Sequence, residues 1–288
     1  MRRRIFGHRF QQQIEDDNRT ISLFGNYHYL SKQPSLLASG HRPPINAYEF
    51  SYYSQNGEDG IMLHLLSRIG VESHYVVEIG IEDGQQCNSS NLILNFGWQA
   101  CLIEAAEHWA EKARQYFSDC LAADRVRLVH ATAGPENINA LLQNEKVPKY
   151  FDVLSIDIDS YDYWLWEAVD SFIPRIVVIE YNASFGPSRS VTIPYGSLEN
   201  ESNPSAPFYH GASLSALQRL GKRKGYVLAG VDCKGVNAFF VRSDLALGTG
   251  IEAVEPARAF RSHHRRTKVK TVEEQYQELA QMPLTEIE

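Results

Sequence analysis

From residue 53 onward the apolar positions fall into two alternating kinds of block. In SQNGEDGIMLHLLSRIG they recur at 61, 62, 65, 66 and 69, the spacing of one helix face, and Gly70 closes the run. YVVEIG (75–80) is instead a short, nearly unbroken apolar run, the mark of a strand buried on both faces. The alternation continues: helix in SSNLILNFG, strand in QACLIEA (99–105), helix in EHWAEKARQYFSDC, strand in VRLVHATAG (126–134), helix in NINALLQN. FDVLSIDID (151–159) is a fourth strand, YWLWEAVDSF a helix and PRIVVIEYN (174–182) a fifth strand. This rhythm predicts right-handed βαβ units and a mostly parallel sheet. After the amphipathic ASLSALQRLGKRKG come YVLAGVD and VNAFFVR, separated only by CKG, which predicts an antiparallel hairpin at one sheet edge. The fold class is therefore α/β: a Rossmann-like, seven-stranded, mostly parallel sheet with an antiparallel edge hairpin.

The pattern also sets boundaries. Residues 1–50 read as an N-terminal extension with a short polar helix, 51–245 as the α/β domain, and 246–288 as a charged C-terminal tail with a helix in VEEQYQELAQM. Within the domain, 183–210 is rich in Ser, Pro, Asn and Gly and long for a structureless loop, which points to a lid or binding loop. In the tail, 258–270 carries six Lys or Arg and no acid, whereas 271–288 carries five Glu and no Lys or Arg. The simplest expectation is a solvated, partly mobile extension with local charge compensation. Contact with a polyanion is the alternative.

Composition narrows the class. A chain of 288 residues with 43% hydrophobic and 22% charged positions can build a sizeable core. A net charge of −7 argues against nucleic acid as partner. Cys87, Cys101, Cys120 and Cys233 form no C-x-x-C pair and no zinc spacing, so reduced thiols and a cytoplasmic location are expected. MRRRIFGHRF lacks the apolar stretch of a secretory signal, and no run is long enough for a membrane span. The extensions are candidates for mediating a homo-oligomer.

Candidate chemistry collects at the strand ends, where open α/β sheets bind ligands. Strand one ends in Glu78, Gly80, Glu82, Asp83 and Gly84, and strand two in Glu104. Strand three ends in Ala131 and Thr132, strand four in Asp157 and Asp159, and strand five in Glu180, Tyr181 and Asn182. The glycines of EIGIEDG permit close backbone approach or positive φ. The next helix, capped near Asn88 or Ser89, can receive an anion at its N-terminus. Glu104, 20 residues beyond Gly84, is placed to accept the ribose hydroxyls of a nucleoside.

VVEIGIEDG, CLIEA, FDVLSIDID and VVIEYN, in this order and followed by the hairpin, resemble the class I S-adenosylmethionine-dependent methyltransferase fold. Within that superfamily the chain resembles the FkbM-like and macrocin-O-methyltransferase-like groups, and YSQNGEDGI is similar to the FkbM-type helix entry. The resemblance covers about residues 50–245. It implies methyl transfer from S-adenosylmethionine to an oxygen of a sugar, glycan precursor or small natural product. It makes Glu78, Gly80 and Gly84 the methionine-side loop and Glu104 the ribose ligand. Ala131 and Thr132 would lie near adenine, Asp157 near the sulfonium or a metal, and Gln55 near the cofactor carboxylate. The first loop reads G-I-E-D-G where the family usually has G-x-G-x-G, and its two acids suit a cationic sulfonium.

Three readings fit the later acids. Asp157, Asp159, Glu180 and Asn182 offer hard oxygen ligands for Mg²⁺, which would activate an acceptor hydroxyl. Alternatively Asp159 and Asp162 cap the helix that follows while Asp157 bonds backbone amides. A third reading makes them a metal-free base or cofactor-orienting group. His210 is a further candidate general base. Tyr161, Tyr163, Trp164, Trp166, Tyr181 and Tyr209 are candidates for lining an acceptor pocket, the two Trp fitting core packing better. Two rival functions remain open. One is a metal-dependent glycosyltransferase using DID (157–159) as a D-x-D element. The other is a non-catalytic binding protein on a methyltransferase fold.

Overall fold

The computed structural model describes residues 44–120, 122–197 and 208–288. The short N-terminal helix and nearly all of the 1–50 extension lie outside these residues, as does 198–207 of the long loop. Along the described chain run α1 (Glu58–Ile69), β1 (Tyr75–Ile79), α2 (Ser90–Phe96), β2 (Gln99–Glu104), α3 (Glu107–Asp119) and β3 (Val126–His130). Then come α4 (Ile138–Asn144), β4 (Tyr150–Ile156), α5 (Asp162–Ala168), β5 (Ile173–Glu180), β6 (Val191–Thr192) and α6 (Leu214–Arg223). The series closes with β7 (Tyr226–Val231), β8 (Asn237–Arg242), α7 (Val272–Leu279) and β9 (Thr285–Glu286).

Seven of these strands form one sheet in the order β3-β2-β1-β4-β5-β8-β7. β1 to β5 are mutually parallel, and β8 runs antiparallel to both β5 and β7. This is the expected fold class, hairpin included. The order turns back between β1 and β4, where the connections leave to opposite sides, so a crevice opens at their carboxyl ends.

The sheet is covered on both faces, which is why its central strands are apolar without alternation. Val77, Ile79, Leu154 and Ile156 face Leu142 of α4, Trp166 of α5 and Leu217 of α6. Val76, Val153 and Val178 face Leu65 of α1, Ile93 of α2 and Phe117 of α3. Trp166 packs between Tyr226 and Phe240, with ring centroids 6.0 and 4.8 Å away. A buried aromatic of this size is worth about 3–5 kcal/mol against alanine. Trp164 is half-buried and donates its indole N–H to Ile193 O at 2.8 Å.

On α1, His64 stacks on Tyr48 with ring centroids 3.4 Å apart, and burial, helped by the nearby charge of Arg68, holds the imidazole down at about 3. The unfolded chain takes up that proton below about pH 6.5 while the folded chain does not, so folded stability drains as pH falls from 6.5 toward 3. The expected result is that His64→Phe gains on the wild type by up to about 1.4 kcal/mol per pH unit across that window. Denaturant unfolding at pH 7, 6 and 5 measures it, and a pH-independent difference would refute the assignment.

Residues 246–288 do not form a solvated tail. Thr249 is held by Arg68 at the end of α1, Val254 N–H bonds Leu228 O on β7, and from about Arg261 onward the segment covers the carboxyl end of the sheet. β9 pairs antiparallel with β6, a two-stranded sheet made from the long loop and the far end of the chain. Tyr181 donates its hydroxyl to Arg261 O, Tyr209 donates to Pro283 O (both 2.6 Å), and Ser184 donates to Gln275 Oε1 at 2.7 Å. α7 opens with a reciprocal cap between Thr271 and Glu274. Tyr181 and Tyr209 thus fasten this segment, and neither lines the cavity at the strand ends. No helix among the described residues is long and apolar enough to cross a membrane.

Candidate active site

A cavity of about 1060 Å³ opens at the switch point. That is at the upper end for small-molecule sites, with room for a nucleoside-sized ligand and a second molecule. The loop after β1 forms one wall. Gly80 sits at φ 82°, and a Cβ there would lie 1.7 Å from the carbonyl oxygen of Asp157, so only glycine lets this loop pass the end of β4. Glu82 adopts φ 47°, uncommon for a residue with a side chain, and Glu104 holds it there. Oε2 of Glu104 accepts the N–H groups of Glu82 (2.8 Å) and Ile81 (3.1 Å), and Oε1 accepts that of Ala106 (2.8 Å). A carboxylate has about four acceptor positions, so these three bonds leave capacity toward the cavity that Glu104 lines.

Glu78 also lines the cavity, and its carboxylate is bonded from behind. Its buried carboxylate accepts the N–H groups of Asn88 (2.9 Å) and Ser89 (2.8 Å), at the start of α2. The expected anion at this helix end is therefore the chain's own side chain. Gly84 (φ 80°) does not line the cavity, against its expected place in the methionine-side loop. A Cβ there would meet Phe117 of α3 at 2.8 Å, so this glycine serves helix packing. Gln55, Ala131 and Thr132 do line the cavity. So does Trp109, in the first turn of α3, which with Ile103, Ala105, Ala131 and Ala133 gives an apolar flank beside Glu104. Sequence reasoning missed Trp109. Its signal was an aromatic five residues past the strand-two acid, on the helix face turned back toward the strand end.

Opposite lies the acidic end. Four carboxylates in one short segment have four separate fates. Asp152, at the start of β4, is fully buried away from the cavity. It accepts the N–H groups of Glu72 (3.0 Å), Ser73 and His74 (both 2.8 Å), and Arg175 Nε lies 3.3 Å away. Asp162 is also buried and accepts from Ile158 N (2.9 Å) and Ser160 N (3.2 Å), bending the chain out of β4. Asp159, at the apex of that bend, has φ 52° and is exposed. Asp157 and Asp159 line the cavity together with Glu180 from β5. Burial first, and then neighbouring acids, push the Asp157 and Glu180 carboxyls well above the usual carboxylate range. Oε2 of Glu180 is buried without a hydrogen-bond partner among the described residues.

Two expected members of this group are engaged elsewhere. The Asn182 amide donates to Phe208 O (2.6 Å) and His210 O (2.9 Å), and its Oδ1 accepts from Ser184 N and Arg266 (both 3.0 Å). No lone pair is left for a metal, so Asn182 is a scaffold for the loop and not a ligand. His210 is buried behind the wall and not on it. Its Nε2 lies 2.8 Å from an Arg266 nitrogen. A guanidinium only donates, so Nε2 must be the acceptor, and the single proton of the neutral ring is on Nδ1. That nitrogen faces Glu180 Oε2 at 3.6 Å, beyond hydrogen-bond range. Burial and the Arg266 charge lower the imidazole to about 3, so the ring stays neutral. With its lone pair taken, His210 is not placed as a general base. It positions Arg266.

Asp159, Glu180 and His210 offer atoms within 4.8 Å of one another, the spacing of a cation site. With the Asn182 oxygen saturated, the set Asp157, Asp159, Glu180 and Asn182 expected to hold Mg²⁺ lacks its amide ligand, and of the His210 nitrogens Nε2 is taken by Arg266 while Nδ1 has no hydrogen-bond partner among the described residues. Tyr161, Tyr163, Trp164 and Trp166 do not line the cavity either. A further part of its wall, unforeseen in the sequence, is brought in by the C-terminal segment: His263, His264 and the cations Arg265 and Arg266.

No protein-family model matches the chain, and no curated protein is detectably similar to it. Solved structures of similar fold include mitomycin 7-O-methyltransferase MmcR (16% identity, TM-score 0.38, 64% of this chain against 56% of that one). The O-methyltransferase TomG from Streptomyces achromogenes, solved with S-adenosylmethionine, is 19% identical (TM-score 0.40, 65% of this chain and 80% of that one). An O-methyltransferase from Bacillus cereus, solved with S-adenosylhomocysteine, is 18% identical (TM-score 0.40, 74% and 88%). The match to MmcR thus spans little more than half of that protein's length. At these identities the likeness is one of fold alone.

Proposed function

We propose that the chain is an S-adenosylmethionine-dependent methyltransferase whose acceptor atom is an oxygen, on a sugar, glycan precursor or small natural product. The observation that carries this reading is the placement of Glu104. It closes the first loop with three amide bonds and keeps acceptor capacity at the cavity wall, beside an apolar flank of nucleobase size. A ribose edge and a flat base fit that pair of surfaces. When bound, the cofactor supplies an electrophilic methyl group.

The chain's own residues do the rest. Glu104 orients the ribose. Ile103, Ala105, Ala131, Ala133 and Trp109 exclude water from the base. Asp157 and Glu180 stand where an acceptor hydroxyl would be held. Burial and the neighbouring acids raise both carboxyls, which makes each carboxylate a stronger base toward such a hydroxyl. The unpartnered Glu180 Oε2 is the oxygen best placed to receive it. Calorimetric titration of the full chain with S-adenosylhomocysteine tests the reading. Micromolar binding is expected, and no heat at millimolar ligand would overturn it.

A further inference from the structure

The chain builds the surroundings of a divalent cation and sets a cation of its own beside them. Asp157, Asp159 and Glu180 converge on one end of the cavity, and Glu180 keeps a buried, unpartnered oxygen there. Three carboxylates so close repel one another unless a positive charge joins them. Arg266, from the 3₁₀ turn Arg266–Lys268, provides it. One terminal nitrogen donates to Asn182 Oδ1 at 3.0 Å and reaches Ser184 Oγ at 3.5 Å, and the other donates to His210 Nε2 at 2.8 Å. These bonds fix a largely buried guanidinium on the cavity wall near Glu180, Asp159 and Asp157, more than 4 Å from their oxygens, so that their charges reach it through space in that order. They also consume the amide oxygen and the imidazole lone pair that would otherwise complete a metal shell.

We infer that Arg266 takes the place of a divalent cation in this site, so that acceptor positioning beside Glu180 and Asp157 depends on a guanidinium and on no metal. A guanidinium fits this role: it is permanently charged, weakly hydrated and planar, and it has five N–H groups. Those not spent on Asn182, Ser184 and His210 remain for the cavity that Arg266 lines. Unlike Mg²⁺ it cannot take an acceptor oxygen into an inner coordination shell. It holds that oxygen by hydrogen bonds and leaves proton removal to the carboxylates. This is a positioning role, independent of which group the enzyme transfers.

The test is a competition between the side chain and a metal, read without any acceptor. Mn²⁺ binding to the full chain is followed by electron paramagnetic resonance in wild type, Arg266→Ala, Arg266→Met and Arg266→Lys, with thermal melting as the fold control. The Met variant keeps the apolar stem if Ala loosens the segment. Wild type and Arg266→Lys should bind Mn²⁺ no more tightly than about 1 mM, and the Ala and Met variants at least about tenfold more tightly. Adding Glu180→Gln to either should abolish the gain. Tight Mn²⁺ binding by the wild type, or no gain in a folded Ala or Met variant, overturns the inference. S-adenosylhomocysteine titrated into the same samples separates the two claims. Its failure to bind counts against the methyltransferase reading alone, and a missing Mn²⁺ gain counts against Arg266 alone.

Discussion

Replacing Glu104 by alanine is expected to weaken S-adenosylhomocysteine binding by about 100-fold or more while leaving the sheet folded. The carboxylate acts twice. It accepts from the ligand directly, and hydrogen bonds to a charged group contribute about 1.5–3 kcal/mol each. It also holds Ile81 and Glu82, the latter at a positive φ that is costly without support. Alanine removes both effects, and the loop is then free to leave the cavity wall. Glutamine is the instructive control. It keeps the size but turns a donor toward some of the loop amides, so it should fall between alanine and wild type. Calorimetry decides, with far-ultraviolet circular dichroism confirming the fold. Binding within threefold of wild type in the alanine variant would remove Glu104 from the ribose.

The second large effect is on stability. Asp152→Ala should cost about 3–5 kcal/mol of unfolding free energy, measured by urea titration, with no role in ligand binding. Its carboxylate is the meeting point of Glu72 N, Ser73 N and His74 N, and it faces Arg175, which also bonds Glu72 Oε2 and Ile69 O, both at 2.7 Å. Removing it leaves three amides without their acceptor and takes the charge partner from beside Arg175 Nε, although the guanidinium keeps Glu72 and Ile69. The turn between α1 and β1 then loses its hold on β4 and is tied to β5 through Arg175 alone. A loss below about 1 kcal/mol would mean that water or Glu72 replaces the carboxylate without strain.

These two acids show what the sequence could and could not reveal. The order of strands and helices was legible because central parallel strands are apolar throughout and helices repeat their apolar face every three to four residues. Glu104 was legible because its distance from a glycine turn after the first strand is set by one helix and one strand. Within FDVLSIDIDSYD, by contrast, four identical side chains were indistinguishable by type. Asp152 anchors a turn, Asp157 faces the cavity, Asp159 crowns a strained bend and Asp162 makes that bend. Their roles depend on where the strand stops, and a strand boundary is fixed by tertiary partners that local pattern does not show. Asn182 and His210 were picked for their chemistry, correctly as neighbours of the acids. That their polar atoms were already committed depended on Arg266, 84 and 56 residues away along the chain. The same distance hid the basic wall. A run of Lys and Arg reads as a solvated face until the hydroxyls of Tyr181 and Tyr209 and the β6–β9 pairing are seen to fasten it.

That fastening also sets an order of events during synthesis. The sheet is complete once β8 has emerged at Arg242, but the wall that carries Arg266 follows more than twenty residues later. Until then Asp157, Asp159 and Glu180 crowd an open crevice with no cation among them, and their repulsion favours a loosened end of β4 and β5. A nascent chain can therefore hold its core while its pocket is still unmade. The segment can settle only once Tyr181, Tyr209 and β6 are in place to receive it.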